Sequence, residues 1–291
     1  MNNRLIVITG PTASGKTAMA IKLARKLGTE IISADSRQLF REIPTGTAQP
    51  SAEELAAVRH HFIGTLSLGD YYSAARYEED VMRLLPEIFA RCNGTAVMCG
   101  GSMMYVDAVC RGIDLLPTVS QEIRQYALAL WQEGGNEAVI DRLRRLDPAY
   151  LETVDLKNHR RLVHALEICL ESGRPYSELR TGAVKPRPFE IEKYAIDLPR
   201  EVLFDRINRR VERMMEEGLL EEARRVFPLR TLNSLNTVGY KELFAFFDGL
   251  WDLPTAVARI QKNTRVYAKK QLTWLRRDAD VRWLSGDEIP E

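Results

Sequence analysis

Residues Gly10-Pro11-Thr12-Ala13-Ser14-Gly15-Lys16-Thr17 constrain this chain more than any other stretch. Leu5-Ile6-Val7-Ile8-Thr9 precedes them, an apolar, β-branched run of the length of a buried strand. Ala18 to Leu27 follows, with good helix formers and apolar residues at helical spacing, and Gly28 supplies a stop. A G-x-x-x-x-G-K-T motif between a strand and a helix is the context a phosphate-binding P-loop requires. Glycine lets backbone N–H groups turn toward an anion with no Cβ in the way. The helix N-terminus adds partial positive charge. Lys16 adds a point charge, and the Thr17 hydroxyl can ligate Mg²⁺. A Gly-rich turn without a ligand is the competing account, and the agreement of motif with context disfavours it.

The chain has 291 residues, enough for a large core or for a domain carrying an insertion. No apolar run reaches the length that spans a bilayer. The N-terminus enters a strand almost at once, so no secretory signal is expected, and the expected location is the cytoplasm. Cys92, Cys99, Cys110 and Cys169 match no zinc spacing and read as buried reduced thiols. The formal net charge is +1, so a nucleic-acid partner must be held by local basic patches.

Glu30 to Ala34 reads as a second strand ending at Asp35-Ser36-Arg37-Gln38. Ligands of open α/β sheets gather at the carboxyl ends of strands, so Asp35 is expected beside the phosphate loop. There it can bind Mg²⁺, accept a proton, or simply cap a turn. Ile43 to Ser51 reads as a loop, Glu53 to His61 as a helix, and Ser73 to Cys92 as a long helix. His60-His61 is not expected to bind metal, since neighbours on a helix do not share a face. Thr95 to Cys99 reads as a buried strand ending in Gly100-Gly101-Ser102. Nucleoside triphosphatases commonly end such a strand with an acid that helps hold Mg²⁺; its absence here weakens that reading.

From Ile113 to about Pro188 helical patterns run without a strand, as expected of an inserted helical subdomain. Its segment Lys157 to His164 is rich in basic and titratable groups, although taken alone it reads better as a solvated helix face. Glu192 to Leu198 returns as a strand. Arg200 to Phe227 is helical and carries Arg206, Arg209, Arg210 and Arg213, suited to phosphate or to surface pairs with Glu212, Glu216 and Glu217. Asn236 to Lys241 is a polar turn ahead of a helix. In the last long helix, Thr255 to Arg277, there are seven Lys or Arg residues and no acid. Lys262, Arg265 and Lys269 share a face, which favours a polyanion partner; Tyr267 and Trp274 are expected to pack on the core.

Several ordered motifs together resemble the tRNA dimethylallyltransferases over nearly the whole chain. They are the P-loop itself, Ile32 to Gln38, Gly100-Gly101-Ser102-Met103-Met104-Tyr105, Val238-Gly239-Tyr240-Lys241, and Ala268 to Arg276. The resemblance implies an α/β, P-loop NTPase-like parallel sheet core flanked by helices, with an inserted all-helical subdomain. The expected boundaries are 1–112 and 189–291 for the catalytic core and 113–188 for an insertion contacting tRNA. The implied reaction moves a dimethylallyl group from dimethylallyl diphosphate to the exocyclic amine of the adenosine 3′-adjacent to the anticodon of tRNA, releasing diphosphate. The implied cofactor is Mg²⁺, and the implied partners are the tRNA anticodon stem-loop and dimethylallyl diphosphate, with neither a membrane nor an obligate protein partner.

By the same resemblance Gly10, Pro11, Thr12, Ala13, Ser14, Gly15, Lys16 and Thr17 bind the diphosphate, and Thr17 also the metal. Asp35 is the general base, with Thr17 and Arg210 as catalytic partners on the leaving diphosphate. Asp35, Ser36, Arg37, Gln38, Ser102, Arg124, Arg160, Arg161, Leu162, Val163, His164, Gly239, Tyr240 and Lys241 contact tRNA. The chain departs from the family pattern at Arg160, usually Gln, at His164, usually Arg, and at Arg37, where many members carry a smaller or uncharged residue. Rival readings are a prenyltransferase of free adenine nucleotides, a small-molecule P-loop kinase and a non-catalytic nucleic-acid-binding module. The helical insertion and the basic last helix favour tRNA over the first. The strand end without an acid argues against the second, and Asp35 beside an intact P-loop argues against the third.

Overall fold

The computed structural model describes residues 3–285 and 290. In chain order the first part holds β1 (Arg4–Thr9), α1 (Lys16–Leu27), β2 (Ile31–Ser33), α2 (Ala52–Ala57), β3 (His60–His61), α3 (Ala74–Arg91), β4 (Thr95–Cys99) and α4 (Met103–Arg111). Four helices follow: α5 (Gln121–Leu146), α6 (Pro148–Leu151), α7 (His159–Ser172) and α8 (Tyr176–Leu179). The last part holds β5 (Glu190–Asp197), α9 (Arg200–Glu216), α10 (Leu219–Val226), α11 (Tyr240–Phe247), α12 (Leu253–Leu275) and β6 (Val281–Ser285).

The strands form one sheet in the order β3-β2-β4-β1-β5-β6. Every neighbouring pair is parallel; Arg4 of β1 lies opposite Thr95 of β4 on one side and Glu190 of β5 on the other. A strand in the middle of a parallel sheet is covered on both faces, and so reads as a continuous apolar run. Leu5, Ile6, Val7 and Ile8 are each fully buried, as are Ala96, Val97 and Met98 of β4. Met19, Ala20, Leu23 and Ala24 of α1 pack on one of these faces. Each buried Leu, Ile, Val or Met among these stabilises the core by about 1.5–3 kcal/mol, and each Ala by less. This is a P-loop NTPase-like α/β core flanked by helices.

Two compact units emerge from the contacts: residues 1–110 with 186–291, and residues 111–185. Among the described residues the second unit holds helices and no strand. Its core joins Ala127, Val139 and Leu143 of α5 to Leu162, Ala165, Leu166 and Cys169 of α7. Buried Asp147 ties it together, accepting from the Tyr150 and Ser177 amides and from the Ser177 hydroxyl at 2.6 Å. Residues 1, 2, 286–289 and 291 of the expected core range lie outside the described residues.

Three expectations need correction, and one strand was not expected. His60-His61 is a short edge strand, β3, because its amides and carbonyls find β2, which the sequence pattern does not reveal. The helix expected over 200–227 breaks at Gly218, whose φ of 95° starts α10 on a new axis. Tyr267 and Trp274 are both 38% exposed; the core face of α12 is Ala256, Ile260, Ala268, Gln271 and Leu275 instead. The edge strand β6 was not expected, its buried face being no more than Val281.

Candidate active site

The Gly10–Thr17 loop joins the end of β1 to the start of α1. Its turns are enforced by Gly10 at φ 148°, Gly15 at φ 99° and Ala13 at φ 64°. Ala13 is held in a region that L-residues with a Cβ rarely adopt, and such strain collects at ligand clamps. Lys16 folds over the loop and donates from Nζ to the Pro11 carbonyl at 3.3 Å. Burial, with Arg210 nearby, holds its ammonium below the ordinary lysine range, while Cys99 and Asp35 pull the other way. Thr17 stands within hydrogen-bonding range of the Cys99 thiol, which burial pushes up to about 11.

Across the loop lies α9. Arg206 Nη1 donates to the Ser14 carbonyl at 3.3 Å, and Arg210 Nη1 to the Thr12 hydroxyl at 3.4 Å. Among the described residues neither guanidinium forms an ion pair; the carboxylate of Asp205 is taken by Arg209 instead. Burial holds Arg210 below its ordinary range, and Asp35 partly offsets this. Lys16, Thr17, Arg206, Arg210 and Arg213 line a cleft of about 740 Å³, together with Pro44, Thr45, Ala48 and Gln49 and the acids Glu54 and Glu217. Cations without carboxylate partners around a nest of backbone amides make an anion site.

Asp35 follows β2, at the same sheet edge. Its Oδ1 accepts the amides of Arg37 at 2.9 Å and Gln38 at 3.4 Å, closing an Asx turn. Among the described residues nothing else bonds to the carboxylate, so Oδ2 is open. The glycines after β4 allow the turn to sit close. A Cβ on Gly100 would collide with the Ala34 carbonyl, and one on Gly101 with the Gln271 amide. Ser102 accepts the Ser36 amide at 2.8 Å and donates to the Ser36 hydroxyl at 3.1 Å. Tyr105 and Tyr267 complete the surroundings. Burial of Tyr105, and desolvation of Tyr267 despite its partial exposure, push each phenol up to about 12, Asp35 adding to the shift.

The site residues expected from sequence are thus placed as follows. The whole P-loop, Asp35, Ser36, Ser102 and Arg210 come together at one sheet edge. Arg37 stands beside them with its guanidinium bonded to main-chain carbonyls of residues 233, 234 and 236. The Gln38 amide is engaged too, donating to the Thr47 and Ala48 carbonyls at 3.3 and 2.8 Å. Tyr240 is fully buried and donates to Glu222 at 2.6 Å, and Gly239 is buried at the start of α11. Lys241 is exposed. On the helical unit, Arg124, Arg160, Arg161 and His164 are exposed and Val163 is half-buried. Leu162 is fully buried. The side chains of Leu162 and Tyr240 therefore cannot touch a ligand, and act on a surface only by holding their neighbours.

Sequence reasoning missed three participants. Gln271, 2% exposed, accepts the Thr12 amide at 2.9 Å and donates to the Gly101 carbonyl at 2.7 Å. Tyr105 and Tyr267 flank Asp35, as described above. Gln271 and Tyr105 both lie in motifs quoted above, and a buried polar residue within an apolar helix face was the available signal for Gln271. Hard-oxygen donors for a divalent cation are present in the Thr17 hydroxyl and the Asp35 carboxylate. Among the described residues no three His, Cys, Asp or Glu side chains form a metal-binding group. His60 bonds the Val58 carbonyl and His61 bonds Glu30. No helix among the described residues is long and apolar enough to cross a membrane.

A parallel sheet ending in an anion-binding nest, with a carboxylate on the next strand, defines an α/β protein of the P-loop class. The model of the family described as IPP transferase matches residues 38–278. A protein of Parabacteroides distasonis named tRNA dimethylallyltransferase 2 is 51% identical over 286 residues, 98% of this chain and 95% of its own. One of Phocaeicola vulgatus named tRNA dimethylallyltransferase 1 is 51% identical over 291 residues, 100% of this chain and 97% of its own. The crystal structure of a tRNA isopentenylpyrophosphate transferase from Bacillus halodurans superposes with a TM-score of 0.71 at 35% identity, covering 97% of this chain and 90% of that one. A eukaryotic dimethylallyltransferase acting on tRNA shares the fold, with a TM-score of 0.80 at 24% identity over 97% of this chain and 74% of that one. The chain belongs to the IPP transferase family. It is an enzyme of the prenyltransferase class.

Proposed function

We propose that this enzyme transfers a dimethylallyl group from dimethylallyl diphosphate to the exocyclic amine of the adenosine 3′-adjacent to the anticodon of tRNA. The observation that carries the reading is Asp35. Its open carboxylate oxygen belongs to a turn beside Lys16 and Arg210, so a proton acceptor adjoins a diphosphate site. Relatives about half identical over the full chain carry a tRNA dimethylallyltransferase name, which favours prenyl transfer over phosphoryl transfer at this site.

The amine of a stacked loop base cannot reach a protein pocket, so the adenosine is extruded. Its nitrogen attacks the allylic C1 of the donor. The C1–O bond breaks, the electron pair leaves with diphosphate, and the amine proton passes to Asp35. The loop amides, Lys16, Thr17 and Arg210 meet the charge that grows on the leaving oxygens. Mg²⁺, held by Thr17 and diphosphate oxygens, would supply further charge neutralisation at that group. Ser102 and the Ser36 amide fix the turn that presents Asp35 to the base.

For tRNA, the exposed basic groups of the helical unit, Arg124, Arg160, Arg161 and His164, hold backbone phosphates, with Val163 beside them. On the core unit Lys241 and the basic face of α12 do the same. Residues 113–188 are then a tRNA-contacting insertion, and the enzyme works in the cytoplasm with its tRNA.

The test mixes protein, Mg²⁺ and radiolabelled dimethylallyl diphosphate with an unmodified anticodon stem-loop, and with AMP in a parallel tube. Label in the RNA is the expected result. Label only in AMP would move the activity to free nucleotides. Label in neither would reject the reading.

A further inference from the structure

We infer that Arg37 is a positioning residue, which fastens the turn carrying Asp35 to the loop 233–236 and does not grip tRNA. The inference rests on the proposed transferase reading. The Arg37 amide closes the Asx turn on Asp35 Oδ1, at 2.9 Å. Its side chain then leaves the turn for a different part of the chain. Nη1 donates to the carbonyls of Asn233 and Ser234, each at 3.1 Å, and Nη2 to that of Asn236 at 3.5 Å. These carbonyls surround the short 3₁₀ turn Asn233–Leu235.

The anchor is rigid. Ser234 is buried and donates to the Leu68 carbonyl at 2.8 Å, and Leu235 is packed with Leu68, Tyr240 and Leu243. A clamp onto a packed element transmits its geometry to the turn at its other end. On that end the carboxylate oxygen that matters is Asp35 Oδ2, which shares Cγ with the oxygen the turn fixes. The Ser102 bond to the Ser36 amide holds the same turn from the β4 side. Arg37 therefore completes a bracket around Asp35.

Residue type supports this reading. Three convergent carbonyls suit a planar guanidinium with its fork of donors; an ammonium is a single point and cannot span them. Three of the guanidinium N–H groups are already spent on the main chain. These bonds fix the guanidinium against the 233–236 loop and leave it Nε–H and one Nη2–H for any other partner. Asp35, Tyr105 and Tyr267 also lie close enough to perturb the Arg37 charge, which puts the clamp inside the base-facing cluster.

The experiment compares the full chain with Arg37→Lys and Arg37→Met. Single-turnover transfer from labelled dimethylallyl diphosphate to the anticodon stem-loop is measured, together with RNA affinity at several salt concentrations. Loss of Asp35 geometry is expected to slow transfer in both variants by up to about 100-fold. RNA affinity and its salt slope should stay at the wild-type values. A phosphate contact would behave differently: Arg37→Lys would transfer at the wild-type rate, while Arg37→Met would bind RNA more weakly with a salt slope smaller by about 0.7–0.9. That outcome overturns the inference, as does wild-type transfer by both variants. If Arg37→Met fails to fold, Arg37→Lys decides alone, because it keeps the charge and loses the fork. An unmodified protein that transfers no label would overturn the underlying reading, and the inference with it.

Discussion

Gln271 of α12 holds the Thr12 amide of the phosphate loop on its Oε1 and the Gly101 carbonyl after β4 on its Nε2, at 2.9 and 2.7 Å. One buried amide thus sets the spacing between two strand ends. Replacing it by Leu keeps the volume and leaves both main-chain groups unpaired, at a cost of about 1–3 kcal/mol for each. Gln271→Leu should lower the unfolding free energy by that amount, read as a lower urea midpoint, and raise KM for the prenyl donor more than it lowers kcat. An unchanged midpoint and KM would show that the bracket is dispensable.

Asp35→Asn keeps the Asx turn, because the amide oxygen still accepts the Arg37 and Gln38 amides, but removes the proton acceptor. Transfer should fall by about 10²–10⁴. Affinity for the anticodon stem-loop, measured by fluorescence anisotropy, should be unchanged. Near-normal turnover in this variant would sink the role given to Asp35.

Arg210 is poorly hydrated and pairs with no carboxylate among the described residues, which makes its charge available to an anion. A lost charge-assisted hydrogen bond is worth about 1.5–3 kcal/mol. Arg210→Ala should weaken inhibition by free pyrophosphate by about 10–100-fold, and Arg210→Lys should recover part of it. Equal pyrophosphate inhibition in all three proteins would remove Arg210 from the diphosphate site.

Away from the site, Glu30 is gripped by Arg91 at 2.7 and 2.9 Å and by His61 at 2.6 Å. The Arg91 hydrogen bond leads in holding its carboxyl down to about 2, from 4.5. A depressed carboxylate contributes stability that is complete above its unfolded value and is lost as pH falls through the folded one. The contribution should therefore decline between pH 4.5 and about 2. Glu30→Gln should remove that segment of the acid limb in a pH series of denaturant unfolding curves. Parallel curves for both proteins would contradict the assignment.

Phosphate contacts release counterions, so stem-loop affinity should fall with added salt, with a log–log slope of about −0.7 to −0.9 per contact. Substituting Arg160 and Arg161 by Ala should reduce that slope without slowing transfer at saturating RNA. Salt-independent binding would refute a phosphate-held complex.

Much of the site was legible because its parts are local. A nest needs Gly, Gly and Lys-Thr at fixed spacing, and a buried parallel strand needs a continuous apolar run, so the loop, β1 and β4 were read with their boundaries close to those observed. Arg206 and Arg210 were ambiguous, since a helix with both signs of charge can pair along its own surface. Only their approach to Ser14 and Thr12 separates the two accounts. Arg37 and Gln38 were read as groups facing a ligand, and their side chains also bind the main chain of segments far away in sequence or around the next bend, which the pattern did not show.

By itself the sequence determined the class of core, the anion loop and the position of one carboxylate at the same sheet edge, because strand, turn and helix signals act over a few residues. Tertiary structure decided which polar groups are free. Gln271 is spent on the loop, Tyr240 on Glu222 and Arg37 on three carbonyls, whereas one oxygen of Asp35 is left open. The physical reason is that hydrogen-bond satisfaction is settled by whichever partner the fold brings within about 3 Å, and a one-dimensional pattern carries no such distances.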